Sequence, residues 1–137
     1  ISCLSPYITH GVINEKEIRH EMRDKVSEVE DLMFSLAQER KVKNLIVTKG
    51  SSGSVLYNSD TNKFYSAEAY ATKVVDKIGA GDCFMSVFGI VSKYTRNDLL
   101  LPMFIASIAT SEIISGYGNQ NNLNLNSLKK NIQYILK

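Results

Sequence analysis

The chain has 137 residues, 44% hydrophobic and 22% charged, with 16 basic against 14 acidic side chains and a formal net charge of +2. This length suffices for one domain with a real core and is short for a two-substrate enzyme. The charges are interspersed, which gives no electrostatic case for nucleic acid or a membrane surface, and apolar runs such as LLLPMFIASIA are too short and interrupted to span a bilayer.

The opening ISCLSP reads as the end of a strand already under way, and with Ile1 in place of an initiator Met it points to a piece of a longer protein. No basic and apolar leader pattern follows, so a soluble, cytoplasmic protein is expected. Cys3 and Cys83 are the two cysteines, without CxxC spacing, and are expected as free buried thiols rather than a disulfide or zinc site.

In SEVEDLMFSLAQERK, Ser27 and Glu30 have capping-box spacing, and Val29, Leu32, Met33, Leu36 and Ala37 fall on one face of an amphipathic helix. NLIVTKG is a short, nearly continuous apolar run closed by Gly50, and GSVLYN and KFYSAE continue with strand-forming residues between turn signals. A helix feeding a buried strand predicts parallel pairing, and the short strands after it predict an antiparallel edge.

TKVVDK is a further short strand, after which AGDCFMSVFGIVSKY changes period from strand to helix. LPMFIASIATSEIIS is a third helix, with Pro102 in its first turn or kinking it, and Gly116 and Gly118 ending it. GNQNNLNLN is a loop and SLKKNIQYILK a final short helix, with no internal repeat or dividing linker. Phe84, Phe88 and Phe104 follow helical spacing and are core candidates, while His10 and His20 lack partner spacing for a metal or a triad.

The chemistry concentrates in VVDKIGAGDCFMSVF. A strand ending at Asp76, a glycine-containing turn and a helix beginning near Gly81 would gather unpaired amides at one helix N-terminus, where the helix dipole adds positive potential. Such a turn is an anion site, and glycines let a phosphate approach the backbone and permit positive φ. Asp82, an acid inside that site, fits a base taking a proton from a hydroxyl that attacks the phosphate. It equally fits a cap of the helix that follows. The Lys-Ser/Thr pair of a P-loop and the GxGxxG of a dinucleotide fold are missing from this stretch.

Three ordered motifs carry a family resemblance. DKIGAGD resembles the DTxGAGD signature of the ribokinase-like (PfkB) carbohydrate kinases, VTKGSSG resembles the VTxGxxG segment upstream of it, and NEKE, Asn14 to Glu17, fits the NxxE motif. The resemblance runs over essentially the whole chain and covers the C-terminal half of such a kinase. The texture of NEKEIRHEMRDKVSEVEDL and of the last residues is most similar to heptose-phosphate kinases and bifunctional sugar kinase-nucleotidyltransferases.

The resemblance implies a three-layer, Rossmann-like α/β fold of ribokinase type, with residues 1–137 forming the C-terminal nucleotide-binding and catalytic-base portion and no N-terminal substrate half. It implies ATP-dependent phosphorylation of a sugar or sugar-phosphate hydroxyl, with ATP and Mg²⁺ and a chain inactive alone. Asp82 becomes the catalytic base and the amides of Gly79, Ala80 and Gly81 the anion hole. Asn14 and Glu17 organise Mg²⁺ and its waters; the alternative is a plain helix start with Asn14 as cap and Glu17 three residues on. Thr48, Gly50, Gly53 and Asn119 border the nucleotide, with an ordinary turn as the alternative for VTKGSSG and a helix stop for GYGN.

Asp76 supports the turn; Lys77 stands where the family has Thr, Lys49 where it has an apolar residue, and Ala106 where many ribokinases place an Asn beside the adenine. Other members of the superfamily (ribokinase, fructokinase, nucleoside kinase) and a non-catalytic α/β module for assembly or regulation are the alternatives. An unfinished sheet is also expected to expose an edge and apolar surface, hence self-association or a partner segment.

Overall fold

A computed structural model describes residues 8–70, 77–115 and 123–137. Two compact units are distinguished within it, the first reaching to Gly50 and including Ser54–Ser66, the second made of Ser51–Gly53 and the residues from Ala67 onward.

The first unit begins with strand β1 (His10–Asn14), helices α1 (Glu15–Glu21) and α2 (Val29–Arg40), and strand β2 (Asn44–Thr48). Strands β3 (Ser54–Asn58) and β4 (Lys63–Ala67) complete a four-stranded sheet in the order β1-β2-β3-β4. β1 and β2 run parallel, His10 opposite Asn44 and Asn14 opposite Thr48, and β3 pairs antiparallel with β2, Thr48 opposite Ser54. The helical connection and the parallel-then-antiparallel pairing match the sequence reading.

Strand alternation sorts the sheet into two faces. Ile13, Leu45, Val47, Val55 and Tyr57 join one buried cluster with Ile18 of α1 and with Val29, Leu32, Met33, Leu36 and Ala37 of α2. The apolar stripe expected for α2 is therefore the buried one. The opposite face carries three cross-strand rows: His10–Asn44–Asn58, Val12–Ile46–Leu56 and Asn14–Thr48–Ser54.

The Ser27–Glu30 capping box does not form. Ser27 Oγ donates instead to Asp24 Oδ2 at 2.6 Å, and the amides of Val26 and Ser27 donate to Asp24 Oδ1. A hydrogen bond to a carboxylate is roughly twice as strong as a neutral one, so Ser27 stays in the loop and α2 starts after Glu28, whose side chain makes no capping bond. The Ser27 hydroxyl, then the Ser27 and Val26 amides, hold the Asp24 carboxyl down at about 2.

The row His10–Asn44–Asn58 closes on itself by a directional chain. Thr61 N and Oγ1 donate to Asn58 Oδ1, Asn58 Nδ2 donates to Asn44 Oδ1 at 2.6 Å, and Asn44 Nδ2 donates to His10 Nδ1 at 3.1 Å. An amide nitrogen only donates, so His10 Nδ1 must be unprotonated. Burial, then the neighbouring Lys43 ammonium, which itself pairs with Asp60, lowers the His10 pKa below 6.5. The unfolded chain thus binds a proton that the folded one refuses. Stability is retained above about pH 6.5 and declines as pH falls from there toward the lowered folded value. Urea titrations at pH 7 and pH 5 should show this loss, and His10→Gln should flatten it.

The second unit holds helices α3 (Ala80–Ser92), α4 (Leu100–Ile114) and α5 (Leu125–Ile135). α3 packs along α4, and α4 against α5. Phe84 and Phe88 are buried as expected, while Phe104 is half-buried and meets Tyr70 edge-on at 5.4 Å. Pro102 lies in the first turn of α4, where the missing N–H costs nothing. Asp98 Oδ1 takes the Leu100 and Leu101 amides just before it. α5 starts two residues earlier than expected because Asn124 caps it through the Asn126 and Ser127 amides. Cys83 is a free, half-buried thiol whose pKa is raised by burial.

Candidate functional site

In open α/β sheets, ligands bind beyond the carboxyl ends of the parallel strands. Asn14 is the last residue of β1 and Thr48 the last of β2, and they are register partners. The structure therefore brings together two residues 34 positions apart in sequence. Asn14 also caps α1: its Oδ1 accepts from the Glu17 amide at 2.9 Å, and Glu17 Oε2 accepts from the Asn14 amide at 3.0 Å. The geometry seen is thus the helix-start alternative.

The capping box still leaves Glu17 Oε1 and the side-chain Nδ2 of Asn14 outside it, and both residues are exposed beside an open groove of about 510 Å³ lined also by His20 and Glu21. Among the described residues there is no cluster of three or more His, Cys, Asp or Glu able to cage a metal. One carboxylate oxygen on an open surface fits a hydrated Mg²⁺ held largely through its waters, the habit of that ion in phosphate sites.

Beyond Thr48 the chain makes a 3₁₀ turn, Gly50–Ser52, and returns through Gly53, with Gly50 and Gly53 both at positive φ. Gly50 is exposed, while Gly53 is buried against the Ala67 carbonyl. Ser54, absent from the sequence-based candidates, follows: 3% exposed, opposite Thr48, and among the described residues with no hydrogen-bond partner for its hydroxyl. Its only sequence signal was a Ser after a Gly, which marks turns in general.

In the second unit, the GAGD turn enters α3 through Gly79 at φ 79, ψ 2, a left-handed conformation that glycine adopts without a Cβ penalty. The Ala80 amide donates to Lys77 O at 3.2 Å, and the helix ladder starts with the Cys83 amide on Gly79 O at 2.9 Å. Of the Gly79–Gly81 set expected, Ala80 spends its amide on closing the turn, while the amides of Gly79 and Gly81, and that of Asp82 after them, make no hydrogen bond among the described residues. A Cβ built on Gly81 meets nothing within 4 Å among the described residues, so a methyl group is accommodated there.

Asp82 is exposed, lies in the first turn, and makes no side-chain cap; among the described residues its carboxylate takes no hydrogen bond. The cap alternative is not realised, and the acid stands beside the unpaired amides. Ala106 is fully buried in α4, in the place where the resemblance puts a base-contacting Asn. Asp76, Gly116, Gly118 and Asn119 lie outside the described residues.

A parallel β-helix-β unit with polar residues at its strand ends, and a helix entered through a left-handed glycine beside an uncapped acid, define an α/β protein built to hold an anion. The sequence carries the assignment further: residues 1–118 match the pfkB family of carbohydrate kinases, and the chain belongs to that family.

It is 39% identical over 84 residues to a nucleoside kinase of Methanocaldococcus jannaschii, a match that spans 61% of this chain and 27% of that protein. The nucleoside kinase crystal structure from the same organism superposes with a TM-score of 0.69 at 29% identity, over 92% of this chain and 40% of that one. A ribokinase of Arabidopsis thaliana, solved with ribose and ATP, gives 0.74 at 26% identity, over 90% and 40%. An Escherichia coli protein called ribokinase II, solved with ATP and Mg²⁺, gives 0.72 over 91% and 39%, and at 23% identity shows the fold alone. The fold is thus the ribokinase-like α/β fold expected, and the chain spans about 40% of the length of these structures.

Proposed function

We propose that this chain forms the nucleotide-binding and catalytic-base part of a kinase that moves the terminal phosphoryl group of ATP onto a hydroxyl of a sugar or nucleoside. One observation carries the reading: the left-handed Gly79 delivers an uncapped Asp82 carboxylate and two unpaired amides to the same helix end. Asp82 removes the proton from the acceptor hydroxyl, whose oxygen bonds to the terminal phosphorus as the bond to the bridging oxygen of ADP breaks. The amides of Gly81 and Asp82 face the charge that grows on the phosphoryl oxygens. Oriented donors of this kind are worth about 3 kcal/mol each in the transition state.

Glu17 and Asn14 would hold Mg²⁺ through its waters, and the ion supplies charge neutralisation on the phosphates. Thr48 would offer its hydroxyl to the phosphate chain from the end of β2. The residues that select the acceptor belong, in this reading, to the other part of the kinase. A heptose phosphate is supported by sequence texture alone, whereas the 39% identity to a nucleoside kinase puts nucleosides and pentoses first in an acceptor screen.

Gly81→Ala tests the anion site. Its backbone is unstrained and its surroundings are open, so the helix should be unchanged or stabilised by up to about 1 kcal/mol. A phosphate seated on the Gly81 amide would meet the new methyl group. Calorimetry with a non-hydrolysable ATP analogue should show weakened binding while the melting temperature is unchanged or slightly raised. Wild-type affinity in this variant would remove the phosphate from that turn.

A further inference from the structure

The two polar rows on the face turned away from α1 and α2 differ in one respect. The row His10–Asn44–Asn58 is bonded internally from end to end, as described above. The row Asn14–Thr48–Ser54, at the carboxyl ends of the parallel strands, is not: among the described residues Ser54 Oγ is buried without a partner, and the half-buried Thr48 lies directly opposite it. Between the rows, Ile46 and Leu56 are both 0% exposed. Leaving a hydroxyl buried and unbonded is unfavourable, and each such group in a folded protein needs a reason.

We propose that Ser54 is a positioning residue for the Thr48 hydroxyl when that hydroxyl binds a phosphate oxygen of a nucleotide; this rests on the nucleotide-binding reading above. Directly opposed residues on paired strands have Cβ atoms about 4.5–5.5 Å apart, so their hydroxyls are a rotamer apart from bonding. Ser54 is sealed from the ligand by its burial and has a proton to donate. Thr48 is the group that reaches outward. With Ser54 O–H donating to Thr48 Oγ1, the Thr48 proton has no competing acceptor and points at the anion, and the two bonds polarise one another. No bond is made or broken covalently, and Asn14, at the open end of the row, already uses its Oδ1 as a helix cap.

The test is a double-mutant cycle read by amide-shift titration of the labelled chain with ADP and with adenosine. Ser54→Ala should weaken ADP binding about tenfold, the size of one hydrogen bond to a charged group, and leave adenosine binding unchanged. Thr48→Val should do at least as much, and the double variant should bind ADP no more weakly than Thr48→Val alone. The apo melting temperature of Ser54→Ala should be unchanged or higher, since an unbonded buried hydroxyl is removed; Ser54→Cys, a weak donor of similar size, serves as second variant and should fall between wild type and Ala. Unchanged ADP affinity in Ser54→Ala, an equal loss for adenosine, or additivity with Thr48→Val overturns the positioning role while leaving the nucleotide reading intact. A wild-type chain that binds neither ADP nor adenosine overturns both.

Discussion

Asp82→Asn is expected to lower the turnover number for phosphoryl transfer by about 10²- to 10⁴-fold, the range typical of a positioned general base. The substitution keeps the size and the helix position of the side chain and removes its capacity to take a proton. Nucleotide affinity should hold or rise slightly, because the carboxylate sits beside the amides proposed to bind phosphate, and its negative charge repels that anion. The melting temperature should stay near wild type, since the exposed side chain makes no capping bond that the change would break. Single-turnover kinetics on the active kinase, with calorimetry on an ATP analogue, separates these terms. Full turnover in the variant would end the base assignment and favour a module serving assembly.

Gly53→Ala should be the most damaging single change to stability in the VTKGSSG loop. Gly53 has φ +85, and a Cβ there would run into the Ala67 carbonyl oxygen, deep inside van der Waals contact. The left-handed conformation costs roughly 1–2 kcal/mol for a residue with a side chain, and relieving the overlap costs about 1–3 kcal/mol more. A loss of about 2–5 kcal/mol follows, or a fall in melting temperature on the order of 5–20 °C for a chain of this size. Gly50, three residues earlier at φ +58, meets nothing within 4 Å, so Gly50→Ala should show the conformational cost alone. Thermal melts of the two variants side by side test the close approach; equal losses would mean that the chain relaxes around Gly53.

The same contrast shows how far single residues can be read. VTKGSSG announces a turn after a strand, and both glycines in it do take positive φ. Which one is pressed against a neighbouring backbone depends on where Ala67 lies, and that is decided by β4 joining the sheet. The Ser27–Glu30 spacing likewise promised a helix cap that a carboxylate three residues upstream took away. β1, His10–Asn14, escaped notice because a five-residue stretch with Gly, His and Asn has little strand character until it pairs with β2.

Local chemistry was enough to place the apolar stripe of α2, the parallel-then-antiparallel order of its strands, and the turn before Asp82. A left-handed glycine, an amphipathic period and a run of buried β-branched residues act over a few neighbours, so their consequences travel with the sequence. Tertiary structure alone decided that Asn14, Thr48 and Ser54 share a row and that the Ser54 hydroxyl is buried with no bond among the described residues. Strand register is a property of distant segments, and a slip of one residue would send each of those side chains to the other face.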